Sequence, residues 1–253
     1  MTTLLIDADY IVYKSCAAAE YDIDWGEDVI MVGSKFSEAY ANTVRDINRI
    51  KSEFFDPDII LFFSDSINFR KQVDPSYKGH RNRKKPCGYK RVIHALHDQY
   101  RVIRMPGLEA DDAMGVYATS EEDCIICSPD KDMKQIPGTL YNMDEVFTIT
   151  KQDGWEWFLI QTLAGDQTDG YAGAPGYGVK TSAKFFADNG YTWKSVVNAF
   201  KQKGLTEDDA LKNARLAKIL TSNDYDDRPI LWTPTDANSR TNTGTTVQIE
   251  EDE

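Results

Sequence analysis

Short apolar runs that end in acids, separated by stretches of helical period, restrict this chain to an α/β fold. Residues 3–6 (Thr-Leu-Leu-Ile) form the first run and lead into Asp7. Residues 58–63 form the second and lead into Ser64 and Asp65. Residues 100–104 and 124–127 are the third and fourth. Helices are expected between them at 8–19, 35–55, 89–99 and 109–119. In the second of these, Phe36, Ala39, Tyr40, Val44, Ile47, Ile50 and Phe54 recur at helical spacing, and Ser34 is the candidate N-cap. Strands alternating with helices imply a mostly parallel central sheet flanked by helices on both faces. Residues 139–150 read as a small hairpin or sheet edge, and 155–163 as another helix. The chain then becomes glycine-rich from 165 to 190, with further helices expected at 192–203 and 207–220. Residues 236–253 are polar, finish Glu-Glu-Asp-Glu, and are expected to be disordered for want of apolar surface to bury.

Ligands of open α/β sheets bind beyond the carboxyl ends of the strands. Asp7, Asp65, Asp130 and Asp132 fall at that edge, and Glu109, Asp111 and Asp112 open the helix after the third strand. One strand-end aspartate is ordinary, as is an acid in a first helical turn. Asp9 is read that way, as the cap of the first helix. Several acids converging on one edge are different, because like charges raise one another's pKa. A fold tolerates that when cations neutralise the cluster. Oxygen ligands without His or Cys nearby select Mg²⁺ or Mn²⁺ over zinc.

The formal net charge of -12 argues against nucleic-acid binding unless positive charge is local. It is local. Residues 70–91 hold Arg70, Lys71, Lys78, Arg81, Arg83, Lys84, Lys85, Lys90 and Arg91, with Asp74 as the only acid. A patch of this kind, directly after the Asp65 strand end, suits phosphate binding. Tyr77 beside Lys78 is a candidate to stack on an exposed base. The bland alternative is a solvated loop. Pro175-Gly176-Tyr177-Gly178 reads as a tight turn, and the helix opening at Val179, with Lys180, Thr181 and Lys184, offers backbone N–H groups to a phosphate. The spacing fits neither a P-loop nor a dinucleotide fingerprint. Cys124 and Cys127 form a C-x-x-C within an apolar run, with no second pair at zinc spacing, so a structural role is expected. No secretory leader is evident at Met-Thr-Thr-Leu-Leu-Ile-Asp, and no run of about 18 apolar residues occurs, so a reduced cytoplasmic setting is expected.

Five blocks in this order resemble the 5′-nuclease family of flap endonucleases and bacteriophage 5′→3′ exonucleases. They are Leu-Ile-Asp at the start, Tyr77-Lys78-Gly79-His80-Arg81, Glu109-Ala110-Asp111-Asp112, Ser128-Pro129-Asp130-Lys131-Asp132, and Gly165-Asp166-Gln167-Thr168-Asp169 running into Pro175–Thr181. The resemblance spans roughly residues 3–190. It implies metal ligands at Asp7, Asp65, Glu109, Asp111, Asp112, Asp130, Asp132, Asp166 and Asp169. The first five would hold one ion, and Asp132, Asp166 and Asp169 would surround a second with Asp130 between them. It implies that Lys78 and Arg81 contact the scissile phosphate at the foot of a helical arch. It implies a helix–three-turn–helix lobe at 165–186 that grips duplex phosphates and binds K⁺. Arg70, Tyr77, Arg83, Lys84, Lys85, Gly176, Gly178, Lys180, Thr181 and Lys184 complete the expected DNA contacts. The family's usual Asn after the acid matched by Asp169 is replaced by Gly170.

The expected organisation is a nuclease core over 1–163 with a basic arch near 70–91, a helical lobe over 164–235, and an acidic tail over 236–253. The expected activity is 5′→3′ exonucleolytic or flap-endonucleolytic hydrolysis of DNA, and of RNA in RNA–DNA hybrids, in phage-type replication or recombination. The expected cofactors are two Mg²⁺ ions, replaceable by Mn²⁺. DNA with a 5′ end, flap or nick is the expected partner, with the tail as a docking segment for a replication protein. The competing readings are a PIN-type ribonuclease and a non-catalytic DNA-binding relative.

Overall fold

The computed structural model describes residues 2–81, 84–121 and 123–234. Arg83 and the acidic tail at 236–253 lie outside the described residues. The first strand, β1 (Thr3–Asp7), sits in the middle of a six-stranded sheet and leads into α1 (Ala8–Ala18). Leu4, Leu5 and Ile6 are all 0% exposed, so the strand is buried on both faces and reads as an unbroken apolar run.

After α1 comes a hairpin, β2 (Glu20–Asp24) and β3 (Ile30–Ser34), which pairs only with itself. Its alternation Glu-Tyr-Asp-Ile-Asp is a period-of-two signal. Trp25, Ile30 and Met31 are exposed. Ser34 is held in β3 by pairing with Glu20, so it does not cap the next helix; Lys35 occupies that position without a side-chain hydrogen bond. Helix α2 (Phe36–Ser52) precedes β4 (Asp58–Phe62), and the short α3 (Arg70–Val73) precedes α4 (Tyr89–Leu96). Among the described residues, no helix lies between Val73 and Tyr89. Then follow β5 (Arg101–Ile103), α5 (Ala110–Ser120), β6 (Cys124–Cys127), a 3₁₀ turn (Lys131–Gln135), β7 (Gly138–Tyr141) and β8 (Val146–Ile149).

The sheet order is β5-β4-β1-β6-β7-β8, parallel except for the β7–β8 edge hairpin. Because Cβ atoms alternate across a strand, Leu4 and Ile6 join one core with Ile11, Val12, Ile47 and Val92, while Leu5 joins another with Phe62, Met114 and Ile126. Helices α1, α2 and α4 therefore cover one face and α5 the other. Cys127 points into the first core and Cys124 against the second, which suits the structural reading of that pair. The parallel register sets Asp7 opposite Phe62 and Ile6 opposite Cys127. Whatever follows β4, β1 and β6 thus emerges at one rim.

The last helices, α6 (Lys151–Ala164), α7 (Val179–Asn189), α8 (Trp193–Gln202) and α9 (Glu207–Ala217), build a separate apolar cluster around Phe158, Leu163, Phe186 and Phe200. Thr150 and Asp153 form a capping box at the start of α6. Tyr77 packs into this cluster, which ties the basic segment to the helical half. Gly115 lets the two halves meet closely: a Cβ there would stand 2.3 Å from the Leu220 carbonyl oxygen. Among the described residues, no helix is long and apolar enough to cross a membrane.

Candidate active site

The rim at the carboxyl ends of β4, β1 and β6 opens into a basin of about 320 Å³. Seven acids line it: Asp7, Asp9, Glu109, Asp111, Asp130, Asp132 and Asp169. Lys78, Arg81 and Lys85 stand among them, with Arg70 and Tyr77 also on the wall. The carboxylates differ sharply in how they are held. Asp7 caps α1, accepting from the Tyr10 N–H at 3.4 Å and from the Ser128 hydroxyl at 3.3 Å. Glu109 accepts from the Lys78 ammonium and from the Tyr77 hydroxyl at 3.1 Å. Asp169 accepts from Arg81 at 2.6 Å and shares the single Tyr77 hydroxyl proton with Glu109, at 2.9 Å. Asp130 accepts from the Asp132 N–H at 2.9 Å. Asp111 is unlike these, since its Oδ1 is buried and no hydrogen bond reaches it.

The electrostatics follow from these contacts. Burial and the neighbouring Asp9 charge push Asp7 up to about 7. Burial and Asp130 push Asp132 up to about 7. Burial, then Asp7 and Asp130, hold Asp111 well above the carboxylate range. Glu109 goes the other way: burial would raise it, but Lys78 and Arg70 outweigh that and hold it low. Asp166 is likewise lowered, because its Lys131 bond at 2.6 Å outweighs burial. Three carboxyl groups that resist ionisation, one with an unpartnered oxygen, form a site that takes up protons or a cation. The donors are all oxygen, which fits a hard divalent ion. Among the described residues, no three of these groups stand close enough together to hold a metal ion in the present arrangement. Lys78, Arg81 and Lys131 occupy Glu109, Asp169 and Asp166 instead.

Several residues named from the sequence stand elsewhere. Asp65 does not line the basin; its carboxylate accepts the Gly107 and Ser66 N–H groups at 2.8 and 2.7 Å and fixes the turn after β5. Asp112 is 0% exposed and paired with both terminal guanidinium nitrogens of Arg70, at 2.6 and 2.8 Å. Arg70 is itself 1% exposed and also donates to the Leu216 and Lys218 carbonyls, so it anchors α3 to α5 and the end of α9 and cannot reach DNA. Tyr77 is 2% exposed, with its hydroxyl spent between Glu109 and Asp169, so it cannot stack on a base. Asp166 lies outside the basin, engaged by Lys131 and the Thr168 N–H. Asp9 reverses the expectation made for it. Asp7 is the cap, and Asp9 enters the basin, where it accepts the Ser64 N–H at 2.8 Å and the Tyr89 hydroxyl. Its place two residues after Asp7, across the strand–helix junction, was the signal available for it.

Lys84 is exposed, and Lys85 lies 4.5 Å over the Tyr89 ring at the basin wall. The glycine-rich turn sits beside the acids, joined to the basic segment by the Lys78 N–H, which donates to the Asp169 carbonyl at 2.8 Å. Gly165 and Gly173 have φ of +70° and +65°, and a Cβ on either would come within 2.4 Å of the other's backbone. Gly176 is also left-handed, at +85°. Gly178 caps α7 in an extended conformation, and the Thr181 hydroxyl accepts its N–H at 2.7 Å. Lys180 and Lys184 are exposed on α7.

An α/β sheet carrying this acid basin under a basic rim is the arrangement of a nuclease. Residues 2–156 match the family described as the 5′-3′ exonuclease, N-terminal resolvase-like domain, and the chain belongs to that family. It is 32% identical to the exodeoxyribonuclease of Enterobacteria phage T3, over 91% of this chain and 92% of that protein. It is 31% identical to the exonuclease of Escherichia phage T7, over 91% and 93%. The fold is shared with a bacteriophage T5 flap endonuclease solved as a pseudo-enzyme–product complex with DNA and metal ions. The TM-score is 0.63 at 12% identity, covering 87% of this chain and 89% of that one.

Two outcomes follow. Arg70→Met strands the buried Asp112 charge and is expected to cost about 3–5 kcal/mol in urea unfolding, whereas Arg81→Met, at a partly exposed pair, is expected to change stability little. Asp7 has a folded pKa raised above its unfolded value. Its destabilising charge is therefore absent below about pH 4, and is fully developed above about 7. Asp7→Asn keeps the cap and removes the charge, so in EDTA it should raise the melting temperature at pH 8 by about 2–4 °C for each kcal/mol relieved and leave it unchanged at pH 4.

Proposed function

We propose that this chain hydrolyses DNA phosphodiesters from 5′ ends as a 5′→3′ exonuclease and also cuts flaps. The single observation that carries the reading is the unpartnered Asp111 oxygen in an acid basin whose rim presents Lys78 and Arg81. Asp7, Asp111, Asp130 and Asp132 are the groups that would hold divalent cations, Mg²⁺ by our reading, with Glu109 and Asp169 joining once their lysine and arginine partners turn to the substrate. Such ions supply an activated water and charge neutralisation at the scissile phosphate. Asp65, Asp112 and Asp166 act in this reading by fixing the backbone around the basin.

The chain's own residues do the rest. Lys78 and Arg81 bind the non-bridging oxygens of the scissile phosphate and offset the charge that develops there. Lys85, braced on the Tyr89 ring, holds the neighbouring phosphate. The N-terminus of α7, with Lys180 and Lys184 beside it, takes a duplex phosphate further along the strand. Gly176 and Gly178 keep that approach open, and carbonyls of the same turn are the proposed ligands of a K⁺ ion. In this reading residues 1–163 carry most of the chemistry, and 164–235 add Asp169 to it and grip the duplex. RNA in RNA–DNA hybrids is a further proposed substrate, because nothing in this set of contacts requires the 2′ position to be empty. A host cytoplasm is the proposed site of action, and the phage relatives support that reading. They also weigh against a PIN-type ribonuclease, and the seven acids of the basin weigh against a non-catalytic relative.

Asp130→Ala is expected to lower cleavage of 5′-labelled duplex and flap substrates by at least about 100-fold, a larger loss than that from removing a ligand's hydrogen-bond partner. Duplex affinity should persist. The matching control is a Mg²⁺ titration after EDTA, in which wild-type cleavage returns and the variant's does not.

A further inference from the structure

Two glutamines lie buried beneath the basin, and the chemistry described so far uses neither. Gln161 on α6 is 3% exposed, and Gln135 at the end of the 3₁₀ turn is 6% exposed. Burying amides is costly unless each polar atom is bonded, and here the bonding runs in one direction. The Ile219 backbone N–H donates to Gln135 Oε1 at 3.0 Å. Gln135 must therefore turn its NH₂ group the other way, where it donates to Gln161 Oε1 and to the Ala217 carbonyl, both at 2.7 Å. Gln161 is then obliged to aim its own NH₂ at Asp132, and Nε2 stands 2.5 Å from Oδ1. Amide orientation is usually a matter of choice. Here a main-chain donor fixes it through two links.

The two acids flanking this region are held in opposite ways. Asp166 is neutralised by a full positive charge from Lys131. Asp132 receives a neutral amide donor on Oδ1 and lines the basin. We propose that Gln161, oriented by Gln135 and the Ile219 N–H, is a positioning residue that presents Asp132 to a divalent cation in one orientation. This inference rests on the reading of the basin as a cation site. Leucine at position 161 would meet the packing need alone, without a buried amide.

The test is Mn²⁺ binding to the full chain without DNA, followed by the paramagnetic resonance of free Mn²⁺. Gln161→Met keeps the volume and removes the donor. Its Mn²⁺ affinity is expected to fall about tenfold. Cleavage should fall at limiting Mn²⁺ and return at high Mn²⁺, with KM for DNA unchanged. Gln135→Met, which removes only the orienting amide, should show a smaller fall in the same direction, and it serves if Gln161→Met does not fold. Wild-type Mn²⁺ affinity in whichever of these variants folds overturns the proposal. The parent reading fails separately: it is overturned if the wild type binds no Mn²⁺, or if Asp132→Asn binds it as the wild type does.

Discussion

Repulsion among the carboxylates at the rim is the constraint around which this molecule is arranged. Parallel strands β4, β1 and β6 run side by side, so their carboxyl ends cannot avoid one another. Asp7 and Asp132 are pushed to about 7 by burial and by adjacent acids, and Asp111 is pushed up for the same reasons. In the folded chain each of these carboxyl groups therefore holds its proton more tightly than a free carboxylate does. The protein relieves part of the crowding with its own cations, through Lys78 on Glu109, Arg81 on Asp169 and Lys131 on Asp166. What is left unrelieved, around Asp7, Asp111 and Asp132, is the part suited to metal ions.

A crowd of charges needs a rigid frame, and the frame is polar too. Arg70 is fully buried and gathers Asp112, the Leu216 and Lys218 carbonyls and the edge of Glu109 onto one guanidinium. That group joins the sheet half to the helical half directly beneath the basin. Tyr77 extends the same network, bridging Glu109 from the α5 side and Asp169 from the glycine-rich turn. The basic segment between α3 and α4 thus supplies two things from neighbouring positions. Arg70 and Tyr77 are structural struts, while Lys78, Arg81 and Lys85 remain at the surface of the basin to meet phosphate.

The strands were legible because β1 and β4 are buried on both faces and leave unbroken apolar runs such as Leu-Leu-Ile. The rim was legible because parallel strands turn a one-dimensional pattern, a run followed by an acid, into a place. Which acids face inward was not legible. Asp7 and Asp9 differ only in how the chain turns from strand to helix, and Asp65 is claimed by two backbone N–H groups that no local pattern foretells. Arg70 and Tyr77 look like the rest of a cationic, DNA-binding stretch until the end of α9 closes over them. The β2–β3 hairpin carried a period-of-two signal that the neighbouring helices overshadowed. Gln161 looks like any polar position on a helix, and its use depends on the Ile219 N–H, 58 positions further along the chain.

The central claim is that the basin's carboxyl groups exchange protons for divalent cations. Calorimetric titration of the metal-free chain with Mg²⁺ at pH 7, in two buffers of different ionisation enthalpy, tests it directly. Saturable binding whose heat differs between the buffers, by an amount corresponding to protons released from the protein, is the predicted result, and the difference should shrink as the pH is raised above 7. Binding heats identical in the two buffers at pH 7, or no saturable binding at all, would contradict it.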